Sequence, residues 1–156
     1  GSNAAVAVLY SGTMGAALEG AIFKIPSIGF SLLDHSHNAD FETSKKYTRL
    51  LTQQVLEHKL PSGTCLNVNI PKGDNIKGIK ICRQTSGQWI KEFVRSKDGA
   101  QKDIYWLSGE FCNDEPTDKN TDEWALANGY VSVVPVKVDM TNHEHILNIK
   151  DWEELA

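Results

Sequence analysis

The stretch from Ala5 to Pro71 switches repeatedly between the two hydrophobic periods of regular structure, and that alternation constrains the fold more than any other feature. Ala5-Val6-Ala7-Val8-Leu9 reads as a first strand. Ser11-Gly12-Thr13 then supplies helix-cap chemistry ahead of Met14 to Glu19, a run of good helix formers. Ile25-Pro26-Ser27-Ile28, continuing to Leu33, reads as a short buried strand entered through a proline. Phe41, Tyr47, Leu50, Leu51 and Val55 recur at helical spacing up to His58, and Pro61-Ser62-Gly63 breaks the chain. Leu66, Val68 and Ile70 alternate with Asn67 and Asn69 and stop at Pro71, a strand with one apolar face. Strand, helix, strand, helix, strand is an α/β pattern and implies a largely parallel sheet.

The second half has a different texture. Lys77 to Arg83 puts Ile79 and Ile81 on one face of a further strand. Trp89 to Arg95 and Lys102 to Phe111 are aromatic-rich runs on either side of Asp98-Gly99, a hairpin signal. No neighbouring segment covers both faces of such a hairpin, so it is expected to project. Whether Trp89, Phe93, Tyr105 and Trp106 pack on a second copy of the chain or on their own domain is left open by the residues. Thr121 or Asp122 opens a short helix that Gly129 closes. Tyr130 to Val138 is a strand whose Pro135 marks an edge or a strand end. Thr141-Asn142-His143-Glu144 has the form of a capping box, and Ile146, Ile149, Trp152 and Leu155 follow as an amphipathic last helix. The organisation expected is an α/β core over 1–88, a projecting β-hairpin over 89–111, and a return strand with the amphipathic last helix over 112–156.

At 156 residues the chain suits one domain. Sixteen basic against twenty acidic side chains leave a net charge of −4, which argues against a nucleic-acid polymer or an anionic membrane as partner. No apolar run approaches the roughly 20 residues of a membrane span. Cys65, Cys82 and Cys112 lack paired spacing, which fits a reducing compartment and a cytoplasmic protein.

The sharpest local chemistry is the Ser11-Gly12-Thr13 turn. At a helix start it offers unpaired backbone N–H groups, two hydroxyls and the positive end of the helix dipole, the features that bind phosphate. A plain cap with a glycine turn has the same sequence, and the residues alone do not separate the two. The turn is neither a Gly-Lys-Ser/Thr phosphate loop nor a GxGxxG fingerprint, which argues against a nucleotide-dependent oxidoreductase. His35, His37, Asp34 and Asp40 crowd one loop, but without a zinc spacing they read as a polar, solvated loop. Cys65 and Cys82 read as small core residues. Asn67 and Asn69 point away from the apolar face of their strand, either to hydrogen-bond a loop or to line a cleft.

Taken together the motifs resemble a known family. Leu9-Tyr10-Ser11-Gly12-Thr13-Met14-Gly15-Ala16-Ala17-Leu18-Glu19-Gly20, followed by Ile25-Pro26-Ser27-Ile28, looks like the central signature of the survival protein SurE family. Leu66-Asn67-Val68-Asn69-Ile70-Pro71, Arg83-Gln84, Thr121-Asp122 and Gly129-Tyr130-Val131-Ser132-Val133 with Pro135 occur in the family's order. The resemblance covers essentially the whole chain. It implies a Rossmann-like α/β core, a protruding hairpin, and a C-terminal helix exchanged between subunits of a homodimer or homotetramer. It also implies a phosphatase dependent on a divalent cation, Mg or Mn, acting on nucleoside 5′- and 3′-monophosphates and in some members on short polyphosphate. By position, Ser11, Gly12 and Thr13 match the family's phosphate-side loop. Gly1-Ser2-Asn3 matches the stretch just after a motif with a metal-ligating asparagine. On that match the opening residues are native rather than an expression scar, and Asn3 is placed near the cleft. The family's aspartate pair, serine and asparagine, which hold the metal and carry catalysis, would all precede Gly1. The chain is therefore expected to be the C-terminal part of a longer protein, with no metal ligand of its own and no activity by itself. The alternative is a self-associating phosphate- or nucleotide-binding domain without hydrolysis.

Overall fold

Strand β2 (Thr64–Ile70) is the element on which the others assemble. Its alternation sends Leu66, Val68 and Ile70 to one face, where they pack with Tyr47 and Leu51 of helix α2 (Glu42–His58) and with Val131 and Val133 of strand β8 (Val131–Lys137). Its other face carries Cys65, Asn67 and Asn69. Cys65 packs there with Met14, Ala17 and Ala21 of helix α1 (Gly12–Ile22). Helix α3 (Asp122–Ala127) covers the same side through Ala125, against Val134 and Cys82. The result is a sheet with α2 on one face and α1 and α3 on the other. This computed structural model describes residues 1–97 and 102–155.

Strand β1 (Ser27–Leu32) pairs in parallel with β2, Ser27 opposite Cys65 through Leu32 opposite Ile70. Strand β8 runs antiparallel to β2, and strand β3 (Ile79–Ile81) runs parallel to β8, giving the order β1-β2-β8-β3. The fold class is α/β as expected, but the sheet is mixed rather than largely parallel. The reason is where the chain returns: β8 starts at the end where β2 finishes, Ser132 facing Asn69, and has to run back along it. Pro135 consequently sits inside the sheet opposite Leu66, not on an edge strand. It is tolerated because β3 pairs only with Val131 to Val133 and ends before the register reaches the proline.

Three local expectations change. Ala5 to Leu9 is not a strand; Ala5–Tyr10 is a 3-10 helix, its Val8 packed against α1. Side chains from elsewhere, described below, take the backbone groups of residues 3–5 that a strand would offer to a neighbour. Ile81, expected to share an apolar face with Ile79, is exposed. At the C-terminus the α-helix is only α4 (His143–Ile146), capped by Asn142 rather than Thr141, and the chain continues as a 3-10 helix over Leu147–Leu155. None of its residues is buried.

The hairpin forms as a ribbon in two ladders. Strand β4 (Gly87–Ile90) pairs with β7 (Glu110–Asn113), and β5 (Phe93–Lys97) pairs with β6 (Asp103–Leu107), both antiparallel. Trp89 meets Phe111 edge-on at 5.8 Å between ring centroids. Asp98-Gly99 lies outside the described residues.

Close approach of α1 to the sheet depends on glycines on both sides of the contact, Gly20 of α1 against Ser27 and Gly29 of β1 against Met14. A Cβ at Gly29 would stand 2.4 Å from the Sδ of Met14, which is fully buried, so only a residue without a side chain lets the first turn of α1 lie on β1.

Candidate functional site

Ser11 begins helix α1 with two acceptors. Its Oγ accepts the Met14 N–H at 3.0 Å and its carbonyl accepts the Gly15 N–H at 2.8 Å. Those bonds leave the Gly12 and Thr13 amides as the first N–H groups of an 11-residue helix, without acceptors inside it and at its positive end. Gly12 and Thr13 are exposed. Ser11 and Gly15 line a cleft of about 450 Å³ together with Arg83, Gln84 and Lys137. Gly12 and Thr13 do not line it.

Of Arg83 and Lys137, the cations lining this cleft, Arg83 is already committed. Arg83 donates to both carboxylate oxygens of Glu115, at 2.6 and 2.5 Å, and to Asp118 at 2.6 Å. These hydrogen bonds hold the guanidinium above its ordinary pKa and the Glu115 carboxyl below its own, while Asp118 is held below its own first by the Asn120 N–H, at 2.8 Å, and then by Arg83. Asp139, at the mouth of the cleft, is held well below the carboxylate range by hydrogen bonds from the Thr141 hydroxyl and amide and from His143.

Asn3 lies elsewhere, buried against the polar face of β1 and β2. Its N–H is accepted by Asn69 Oδ1 at 2.7 Å, its carbonyl accepts from Asn67 Nδ2 at 2.8 Å, and its own side-chain amide donates to Ser31 Oγ. Asn69 Nδ2 donates to Asn67 Oδ1 at 3.0 Å, which joins the two strand asparagines into one unit. Asn67 and Asn69 therefore hydrogen-bond a loop rather than line the cleft. The structure brings Ser11 to the cleft and Asn3 to this network, and not the two together.

A further member of the network is Asp122, the first residue of α3 and almost fully buried. Its Oδ2 accepts the Ala5 N–H at 2.9 Å. Its Oδ1 accepts from Thr85 N–H at 3.0 Å, Thr85 Oγ1 at 2.6 Å and Glu123 N–H at 2.8 Å. Burial, and secondarily the charge of Asp122, pushes the neighbouring Glu123 carboxyl above its usual value. Local pattern reads Asp122 as a helix opener only; the one available hint of a larger role is a carboxylate directly beside a second helix-capping residue, Thr121.

In the histidine-rich loop, Asp34 accepts the Ser36 N–H at 2.9 Å and pairs with Lys72 at 3.2 Å, while Asp40 accepts the Glu42 N–H at 2.9 Å. These carboxylates cap turns. Among the described residues no group of three or more His, Cys, Asp or Glu side chains is placed to hold a metal ion. Among the described residues these donors do not make up a set that fits a divalent cation. Cys65 and Cys82 are buried free thiols whose pKa burial raises, and Cys112 is exposed and free. Among the described residues no helix is long and apolar enough to cross a membrane.

Residues 1–91 match the family model described as survival protein SurE. The chain belongs to the SurE family. Its match to the 5'-nucleotidase SurE of Flavobacterium psychrophilum is 52% identical over 155 residues, 98% of this chain and 60% of that protein. The 5'-nucleotidase SurE of Phocaeicola vulgatus is 49% identical over 152 residues, 97% of this chain and 59% of that protein. The crystal structure of the SurE protein from Aquifex aeolicus superposes with a TM-score of 0.81 at 38% identity, covering 98% of this chain and 62% of that one. The chain thus spans about 60% of the length of the curated SurE relatives it matches. The SurE likeness agrees with the Rossmann-like α/β class expected from the sequence.

Proposed function

We propose that the protein contributes the phosphate-holding loop of a divalent-metal-dependent phosphatase that hydrolyses nucleoside 5′- and 3′-monophosphates, and short polyphosphate. The observation that carries this is near-half identity, across almost the whole chain, to proteins named 5'-nucleotidase SurE. In this reading the Gly12 and Thr13 amides and the Thr13 hydroxyl bind phosphoryl oxygens at the start of α1, with Ser11 fixing the helix end behind them. The cation, Mg or Mn, would fix and polarise the phosphoryl group. The carboxylates that hold it then belong to the share of the relatives' length that this sequence does not span, and this chain alone binds phosphate without turning it over. Asn3 contributes through its backbone, held beside the polar strand face.

The same reading divides the chain into the core over 1–88, the hairpin over 89–111, and the return strand with its terminal helical segment over 112–156, and places it in the cytoplasm. The hairpin and the C-terminal segment serve self-association as a homodimer or homotetramer. Phe93, Tyr105, Trp106 and Leu107 on the ribbon and Leu147, Trp152 and Leu155 at the end are all more than half exposed. Sedimentation at high concentration should show a dimer or tetramer, and a monodisperse monomer would sink that part.

The test of the activity is release of inorganic phosphate from nucleoside monophosphates by the whole protein that carries this sequence. Turnover should vanish with chelator and fall sharply in Thr13→Ala. Phosphate binding without any turnover by the whole protein would instead establish a binding domain.

A further inference from the structure

Resting on the reading of the Ser11–Thr13 loop proposed above, we infer that Asn67, Asn69 and Asp122 are positioning residues that fix where that loop stands. Each holds one main-chain atom of a single short segment: Asn69 the Asn3 N–H, Asn67 the Asn3 carbonyl, Asp122 the Ala5 N–H. The holders come from β2 and from the start of α3, far away in sequence.

Two observations give this arrangement a purpose beyond packing. Asn67 and Asn69 are buried in a strand whose alternate positions are aliphatic, and a buried amide is unfavourable unless hydrogen-bonded. Aliphatic side chains would fill those positions without needing partners. Ala5 has φ +49°, in the left-handed region that alanine avoids. A residue persists there only when its surroundings over-determine it, and the three clamps do so.

The connection to the loop is short and stiff. From Ala5 the chain forms the 3-10 helix to Tyr10, contains no glycine, and pins Val8 against Met14 and Ala17. The next residue is the cap, Ser11. A shift at Ala5 therefore reaches the Gly12 and Thr13 amides. N–H groups that bind an anion do so best when already in place, because ordering them on binding weakens affinity.

The experiment combines amide hydrogen exchange with titration of inorganic phosphate, followed at the Gly12 and Thr13 amide resonances of the ¹⁵N-labelled protein. Asn69→Val removes the acceptor for Asn3. Asn69→Asp keeps an oxygen for it but gives up the Nδ2 bond to Asn67 Oδ1 and buries a second carboxylate, and so is the less stable of the two. Asp122→Asn turns one of the two acceptor oxygens into a donor. The Val68 and Val133 amides, deep in the sheet, report that each variant is folded.

In Asn69→Val the Asn3 amide, and in Asp122→Asn the Ala5 amide, should exchange about tenfold faster, and phosphate affinity should fall by about the same factor, the size of one lost hydrogen bond. Asn69→Asp should restore both to within about twofold despite its lower Tm, a rescue by the acceptor rather than by stability. Affinity that follows Tm across the variants, or exchange unchanged in Asn69→Val and Asp122→Asn, overturns the inference. Should Asn69→Val fail to fold, Asp122→Asn carries the same comparison. A wild-type protein whose Gly12 and Thr13 resonances ignore phosphate overturns the proposed role of the loop instead, and the exchange rates still decide the clamp.

Discussion

Gly29→Ala tests how the loop's helix is seated. The added Cβ would lie 2.4 Å from Met14 Sδ and 3.5 Å from Thr13 Cγ2. Ordinary contacts between such atoms are about 3.5–4.0 Å, so something has to move by more than about 1 Å. Met14 has no route to solvent, since it is fully buried with Ala17 and Cys65 around it. The first turn of α1 must then lift off β1. Overpacking of this kind costs about 1–3 kcal/mol, which in a chain of this size lowers Tm by about 2–4 °C per kcal/mol. Met14→Ala removes the sulfur and leaves a cavity, costing about 2–5 kcal/mol by itself. In the double variant the new methyl enters the vacated space, so the two effects should fall short of their sum by about 1–2 kcal/mol. Urea unfolding followed by circular dichroism, with m unchanged across the four proteins, measures the cycle. A Gly29→Ala loss below about 0.5 kcal/mol, or simple additivity, would refute the close-approach argument.

Three further outcomes are expected. Ser11→Ala should lower stability by about 1 kcal/mol through loss of the cap on Met14 N–H, and Ser11→Asp should retain most of it in the same unfolding assay. Arg83→Ala should let the Glu115 carboxyl rise most of the way toward its ordinary 4.5 and Asp118 only part of the way toward 3.8, because the Asn120 N–H, the larger cause of its lowering, remains; carboxyl NMR titration reads both. Because the folded values are depressed, the wild-type pairs stabilise at neutral pH and lose that contribution as pH falls below these ordinary values, so the variant's acid limb should be flatter. Asp122→Asn should move the Glu123 carboxyl part of the way back toward 4.5, since burial, the larger cause of its rise, remains; an unmoved titration would contradict the coupling.

What the residues disclosed, and what they hid, divides by the range of the forces involved. The Ser11 cap, the Thr121 cap and the alternation of Leu66, Val68 and Ile70 are decided within a turn or a strand, and the structure keeps all three. Ala5 to Leu9 was legible only as an apolar run. Its 3-10 conformation follows from Asn69, Asn67 and Asp122, whose separation from residues 3–5 leaves no local trace. The antiparallel course of β8 is likewise set by where the chain arrives after α3, which spacing does not encode. At the C-terminus the helical period of Ile146, Ile149, Trp152 and Leu155 is present in the sequence. With every one of its residues outside the buried core, only one short α-helical segment forms before the tighter 3-10 winding takes over. The candidate site shows the same division: Ser11, Gly12 and Thr13 stand out in the sequence, while the buried groups behind them become visible only in three dimensions.

The split character of β2 also bears on how the sheet finds its alignment. A slip of one residue in pairing turns every side chain of a strand to the opposite face. For β2 that would carry Asn67 and Asn69 in among Tyr47 and Leu51, with their amides unpaired. It would also set aliphatic side chains beneath the Asn3 N–H and carbonyl. Each orphaned group carries a penalty of about 1–3 kcal/mol, so a slipped sheet is penalised on both sides at once. Because β2 lies between β1 and β8, the two asparagines work as a registration key for both neighbours, and they exclude frame-shifted intermediates that a wholly aliphatic strand would tolerate.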